Sequence, residues 1–273
     1  MSLFHKEVRS GLYHIGDGRG NFCTLIVGET GAVLYDTMLG FDDLKSYVAE
    51  LSRFEPMVIN SHCHFDHMGG NWQFDRVYMS EADFPLMELG HSRIPTLTET
   101  LNADLSVMEC CYTDWDRVSA IDPETVIDLG GRTVKVIALP GHTPGCIGLL
   151  CVEERLLLAG DALSPQYCIF FRESLPLSVS RETMKKLWEL PFDHFLSSHF
   201  DRVFDKEIMH KFEACFELVG KKRGMQYVYQ ILPEEQGRFF VYAVQDPDIG
   251  ELIGIAVKES EAAILTKDAV KVK

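Results

Sequence analysis

Ser61-His62-Cys63-His64-Phe65-Asp66-His67 sets three imidazoles and a carboxylate within six residues. Imidazole is the commonest metal ligand, and a carboxylate is its usual oxygen partner. The chemistry such a cluster can do is metal-assisted attack by water on a polarised electrophile, with no serine or cysteine nucleophile required. Three later turns carry the same residue types: Pro140-Gly141-His142-Thr143-Pro144-Gly145, Gly160-Asp161 and Ser198-His199.

Each of these turns follows an apolar run. Pro56-Met57-Val58-Ile59 leads into the first cluster, and Val134 to Leu139 leads into His142. Arg155 to Ala159 leads into Asp161, and Phe195-Leu196-Ser197 into His199. Runs of this length and type read as buried strands. Their ends collect on one rim of a sheet sandwich, and a strand that delivers a ligand into a turn holds it rigidly. Seven ligand-type residues on one rim point to two metals rather than one.

The chain resembles the metallo-β-lactamase-fold hydrolase superfamily. The matching motifs are His62-x-His64-x-Asp66-His67, Gly141-His142-Thr143-Pro144-Gly145, Gly160-Asp161 and Ser198-His199, in the family's order, over roughly residues 10 to 220. Gly-Asp or Ser-His alone carries no signal; the ordered set does. The resemblance implies an α/β fold, a four-layer αβ/βα sandwich with a dinuclear site. By position, His62, His64 and His142 would bind the first metal, and Asp66, His67 and His199 the second. Asp161 would bridge them, and Asp66 would also orient the metal-bridging hydroxide as the catalytic carboxylate. Zinc fits this nitrogen and oxygen set, and iron and manganese are compatible with it.

The remaining chain frames these motifs. Gly11 to Ile15, Phe22 to Val27 and Ala32 to Tyr35 read as strands, with Asp36 at the end of the third and expected near the site. Leu44, Tyr47, Val48 and Leu51 share a helix face. Between the first motif and the second half, residues 81–120 show no strong strand, and residues 81–118 read as a lid insertion with helices over Glu81 to Leu89 and Thr98 to Cys111. Strands follow at Thr125 to Asp128, Thr133 to Leu139, Cys146 to Val152 and Arg155 to Ala159, the last two a hairpin across Glu153-Glu154. Helices start near Ser180, as an N-cap, and near Asp205. We therefore expect a hydrolase domain over 1–223 and a small β-rich C-terminal extension over 224–273. The extension has strands at Gln226 to Leu232, Arg238 to Val244 and Leu252 to Val257, and packs on the core or on a second subunit.

Composition narrows the partners. A net charge of −15 over 273 residues argues against a nucleic-acid role. Lys221-Lys222-Arg223 reads as a solvated helix end. No stretch approaches the roughly 18 apolar residues of a membrane span, and the first residues lack a signal-peptide core. Eight cysteines include no Cys-x-x-Cys pair, and several lie in apolar runs. The expectation is a cytoplasmic protein with reduced thiols acting on a small molecule, as a monomer or a homo-oligomer.

Other candidates have plainer readings. His5, His14, His91, His194 and His210 read as surface or structural residues, with His91 of interest because it lies in the insertion. Cys63 alternates away from the metals along an extended segment. Tyr167, Phe170 and Phe171 fit a pocket wall and a packed core equally. The resemblance favours a branch similar to glyoxalase II and the lactonases. True β-lactamases are exported, and the helical tail of a strict glyoxalase II does not match this β-rich one. The expected reaction is hydrolysis of a small thioester, lactone, ester or phosphodiester. The alternatives are an oxidoreductase resembling the mononuclear iron persulfide dioxygenases and a non-catalytic metal-binding scaffold.

Overall fold

The computed structural model describes residues 3–100, 114–221, 224–229, 232, 234–247, 250 and 252–262. The first sheet has seven strands in chain order: β1 (Phe4–Arg9), β2 (Leu12–Gly16), β3 (Phe22–Val27), β4 (Ala32–Tyr35), β5 (Met57–Ile59), β6 (Val77–Met79) and β7 (Val118–Ala120). β1 to β4 form an antiparallel meander, and β4 to β7 run parallel. The second half contributes β8 (Val126–Asp128), β9 (Thr133–Ala138), β10 (Ile147–Cys151), β11 (Leu156–Leu158), β12 (Gln166–Ile169), β13 (His194–Leu196) and β14 (Phe204–Asp205). All of these except β12 form a second sheet in the order β14-β13-β11-β10-β9-β8.

Apolar side chains from both sheets make the central layer. Ile26, Val33 and Ile59 of the first sheet meet Val136, Leu149 and Leu158 of the second. The outer face of the first sheet is covered by α1 (Leu44–Leu51), which buries Leu44 and Val48 and is capped by Asp43, whose Oδ1 accepts from the Ser46 N–H at 3.0 Å. Three further helices, α2 (Phe65–Met68), α3 (Met87–Ser92) and α4 (Ile94–Thr100), lie between the sheets in sequence. The outer face of the second sheet is covered by α5 (Leu177–Glu189) and α6 (Met209–Phe216), through Met184, Leu187, Phe212 and Phe216. The result is helix, sheet, sheet, helix. β3 and β4 are buried along nearly their whole length because both faces are covered.

Strand direction creates the functional rim. β10 is antiparallel to both β9 and β11, and β13 is parallel to β11. β9, β11 and β13 therefore point the same way, and their C-terminal ends open into the turns bearing His142, Asp161 and His199. The first sheet is locked to this rim at the end of β5: the Ile147 N–H donates to Ser61 O at 2.9 Å, and Tyr35 Oη donates to Ile147 O at 2.7 Å. Gly160, just before Asp161, has φ +54°, and a Cβ there would lie 2.9 Å from Ser61 Cβ. The turn needs glycine both for its left-handed backbone and for this approach.

Some elements differ from the sequence reading. The helix expected at Ser180 starts earlier, at Leu177 after Pro176, because Leu177, Ser180, Met184 and Leu187 form one buried face. Ser180 Oγ accepts from Tyr167 Oη at 3.0 Å instead of capping a helix. β1 went unread because it is an exposed edge strand without apolar alternation. β7 lies at the end of the segment read as strandless, where Val118–Ala120 extends the parallel edge of the first sheet. Glu81–Leu86 is a 3-10 turn that leads into α3. Of the helix expected over Thr98 to Cys111, residues 101–111 lie outside the described residues.

The C-terminal residues form β15 (Met225–Val228), β16 (Gln236–Ala243) and β17 (Ile253–Lys258). They do not stand apart from the core. β17 pairs in parallel with β12, giving a third sheet in the order β12-β17-β16-β15. Among the described residues, no helix is long and apolar enough to cross a membrane.

Candidate metal centre

All seven residues of the sequence motifs meet at the rim. Three groups have ligand atoms mutually within 4.8 Å: His62, His64 and His142; His62, His67 and Asp161; and Asp66, His67 and His199. Asp161 faces both sides. Its Oδ2 is 3.4 Å from His142 Nε2, while its Oδ1 is 3.5 Å from His67 Nε2 and 3.3 Å from His199 Nε2. Asp66 Oδ2 is 3.5 Å from His199 Nε2 and 3.8 Å from His67 Nε2.

Each imidazole is anchored through one nitrogen and offers the other to the centre. His62 Nδ1 lies 2.8 Å from Ser61 Oγ, and His67 Nδ1 donates to Asp36 Oδ2 at 2.9 Å. His64 Nε2 donates to Glu173 Oε1 at 2.8 Å, His142 Nδ1 to Cys168 O at 2.5 Å, and His199 Nδ1 to Gly20 O at 3.1 Å. The anchors determine the tautomers, because a nitrogen facing a carboxylate or carbonyl must carry the proton. His64 Nδ1 and His142 Nε2 then present lone pairs to each other across 2.9 Å. His62 Nε2, His67 Nε2 and Asp161 Oδ1 are buried and have no hydrogen-bond partner. Converging lone pairs and unpartnered buried acceptors are what a cation requires, so this donor set fits divalent metal.

The electrostatics divide the same way. Burial, together with neighbouring His64 and His67, pushes His142 down to about 4. Burial and the adjacent histidines also hold His62 well below its ordinary value. Both stay neutral and keep a lone pair. Burial opposes charge on His67 and His199 too, but Asp161 and Asp66 outweigh it and raise them to about 9 and about 10. The carboxylates thus favour positive charge on this side of the centre, which a divalent cation supplies as well as protons do.

Several supporting residues lie outside the motifs, and of these sequence reasoning places only Asp36 near the site. Asp36, with φ 68°, accepts from the Ser61 N–H, Ser61 Oγ, His67 Nδ1 and Ser198 Oγ. Its place at the end of β4 matches the strand-end pattern of the ligands, and that was its one sequence signal. Asp83 is fully buried and accepts from the Cys63 N–H, the Gly145 N–H and Thr143 Oγ1, joining the first two motif loops. Glu173, which accepts from His64 Nε2, and Arg93 and Glu235 behind it are marked by no motif.

The centre lies at the floor of a cavity of about 430 Å³. Its walls include Leu86, Leu89 and Leu97 from the 81–118 segment, Phe171, and Tyr227, Tyr229 and Leu232 from the C-terminal residues. Phe171 sets its edge against His64, with ring centroids 4.9 Å apart, whereas Tyr167 and Phe170 are buried in the core. The other histidines lie elsewhere. His91 stacks on Trp115, His14 is held by Thr24 and Phe200 O, His5 contacts Tyr47, and His194 and His210 pair with surface carboxylates. Cys63 packs with Met68 and Met79, and burial pushes its thiol up.

A double-sheet sandwich with a histidine and aspartate centre on its strand-end rim defines a metal-binding class of α/β proteins. The chain belongs to the metallo-beta-lactamase superfamily, whose family model matches residues 16–199. Human acyl-coenzyme A thioesterase MBLAC2 is 29% identical over 187 residues, 58% of this chain and 66% of that protein. Hydroxyacylglutathione hydrolase from Synechococcus sp. (strain JA-2-3B'a(2-13)) is 33% identical over 135 residues, 47% of this chain and 43% of that one. The match thus spans less than two thirds of either relative's length. Among solved structures, the sec-alkylsulfatase Pisa1 from Pseudomonas sp. superposes with a TM-score of 0.62 at 15% identity, over 81% of this chain and 42% of that one. This likeness is one of fold.

Proposed function

We propose that this protein is a metal-dependent thioester hydrolase with a dinuclear centre. In this reading His62, His64 and His142 hold one ion, Asp66, His67 and His199 hold the other, and Asp161 joins them. Zinc suits the donor set, and iron or manganese is compatible with it. Bound ions would supply Lewis acidity, bringing a water toward a pKa of about 7 and polarising the thioester carbonyl.

The chain's own residues do the rest. Asp66 faces the cavity with 27% of its side chain exposed, placed to orient the attacking water and accept its proton. The new C–O bond forms as the C–S bond breaks, and the thiol leaves toward the cavity mouth. The walls that include Leu86, Leu89 and Leu97 on one side and Tyr227, Tyr229 and Leu232 on the other receive the apolar part of the acyl group and exclude water. Unpaired thiols at Cys23, Cys63, Cys146, Cys151, Cys168 and Cys215 suit a reducing, cytoplasmic compartment.

One observation carries the proposal: five anchored imidazoles and two carboxylates converge at the floor of an apolar-walled cavity. Thioester chemistry is preferred because one relative is named an acyl-coenzyme A thioesterase and another a hydrolase of an acylated glutathione. The test is metal analysis of protein purified without added metal, followed by a panel of thioester, ester, lactone and phosphodiester substrates with oxygen monitored. We expect close to two metals per chain and fastest turnover of an apolar acyl thioester, abolished by chelator and restored by metal. Oxygen-consuming turnover of a persulfide with one iron per chain would replace this reading, and metal binding without turnover would reduce the protein to a scaffold.

A further inference from the structure

Among the described residues, His64 is the only one of the five ligand-type imidazoles whose anchor reaches, through further side chains, both the 81–118 segment and the C-terminal extension. Glu173, with 1% of its side chain exposed, follows β12 and accepts from His64 Nε2 at 2.8 Å. Arg93, at the junction of α3 and α4, grips both oxygens of Glu173: Nη1 donates to Oε1 at 2.5 Å and Nη2 to Oε2 at 3.1 Å. Arg93 Nη2 also donates to Glu235 Oε1 at 2.5 Å. Glu235 precedes β16, and Arg172 holds it with its backbone N–H at 3.1 Å and its Nε at 3.0 Å. The Arg93, Glu173 and Glu235 side chains are all nearly inaccessible.

This arrangement does more than neutralise buried charge. A two-pronged guanidinium grip fixes the plane of a carboxylate, and the carboxylate plane fixes the ring it accepts from. Ligand rings held this way keep their tautomer and aim, and removing such a partner costs about 10–100-fold in metal affinity. The loss of one member leaves a buried charge unmatched, so the chain responds as a unit.

We propose that Glu235 of the C-terminal extension, Arg93 and Glu173 are positioning residues for His64, and that the extension is thereby part of the metal centre. The inference rests on the reading of His64 as a ligand. The chain of contacts reaches one half of the centre only. His67 is anchored to Asp36 and His199 to Gly20 O, outside this network.

The test uses the full chain and measures the affinity of each ion by competition with a chromophoric chelator. Visible spectra of the cobalt-substituted protein are recorded in parallel. Glu173→Gln should weaken one ion by about 10–100-fold and shift the cobalt bands, with the other ion little changed. Glu235→Gln should weaken the same ion by a smaller factor. The double variant should lose less than the product of the two single losses, because both act through one contact. Arg172→Ala, on a half-exposed side chain, perturbs Glu235 without opening the core and should move the same ion in the same direction.

His64→Ala separates two kinds of failure. If it leaves both affinities intact, the ligand reading is wrong. If it abolishes one ion while Glu173→Gln and Glu235→Gln lower melting temperature with affinities and cobalt spectra unchanged, the network is structural and this inference alone falls. A change with Glu173→Gln but none with Glu235→Gln or Arg172→Ala overturns the role of the extension.

Discussion

The floor and the walls of the cavity are built differently. On the floor, the ligand-type residues sit three to eight positions beyond the ends of β5, β9, β11 and β13, and each imidazole has one nitrogen tied to a neighbour. The walls draw on Leu86, Leu89, Leu97, Phe171, Tyr227 and Leu232, from segments far apart in the chain. Floor residues must hit positions within fractions of an ångström, so they are mounted on paired strands. Wall residues need only exclude water and match a shape, which turns and short helices can do. Changes to the floor should therefore act on metal and rate, and changes to the walls on substrate choice.

The largest effect should come from Asp161→Ala. Asp161 faces both clusters, so the variant should lose more than a hundredfold in turnover, beyond the roughly 10–100-fold cost of losing a mere supporting partner. Metal per chain should fall with it. Unchanged metal content, measured by elemental analysis, would break the two-cluster picture of the floor.

Asp66→Asn comes next. Its oxygen lies near His67 and His199 and faces the cavity. Turnover number should fall by about a hundredfold or more while KM stays within a few-fold. Steady-state kinetics at saturating metal checks this. A rise in KM at unchanged turnover would move Asp66 from the floor's chemistry to substrate binding.

Wall changes should be milder. Leu89→Ala removes part of a half-buried side chain, about 1 kcal/mol of apolar contact, or roughly fivefold in KM for a long acyl thioester. Short acyl groups should be less affected, and metal content should not change. A chain-length series in wild type and variant reads this directly. Loss of metal would mean that this wall supports the floor in the way proposed for Arg93.

The smallest effect sharpens the contrast between histidines. His210 is exposed beside Glu207, Glu213 and Trp188, away from the rim. His210→Ala should leave both ions and turnover as they were and shift stability by no more than about 0.5 kcal/mol. Thermal melts and metal analysis suffice to test it.

The candidate ligand set was legible because metal binding needs particular side chains, and strand ends mark where they sit. His62, His64, Asp66, His67, His142, Asp161 and His199 could be named before any fold was known, and the structure brings them together. Asp36 was half-legible, since it ends a strand but has no motif around it. Glu173, Arg93 and Glu235 were not legible, because a buried carboxylate and a surface one look alike in a sequence. Phe171 could not be told from Phe170 for the same reason: the two rings pack together 4.1 Å apart, and only the placed backbone shows that Phe171 reaches His64 and the cavity. The helix start at Leu177 rather than near Ser180 was decided by which residues are buried against the second sheet.

The sequence by itself therefore determined the residue types at the centre and the family, because these rest on short spacings, and the layered architecture was implied only through the resemblance those motifs carry. Tertiary structure alone decided that the C-terminal strands continue a sheet through β12 instead of standing apart, and that Glu235 comes within hydrogen-bond reach of Arg93. Contacts between residues 80 to 142 positions apart leave no periodic trace in either segment. They arise only when packed layers bring the segments together, and burial then requires each charge to find its partner.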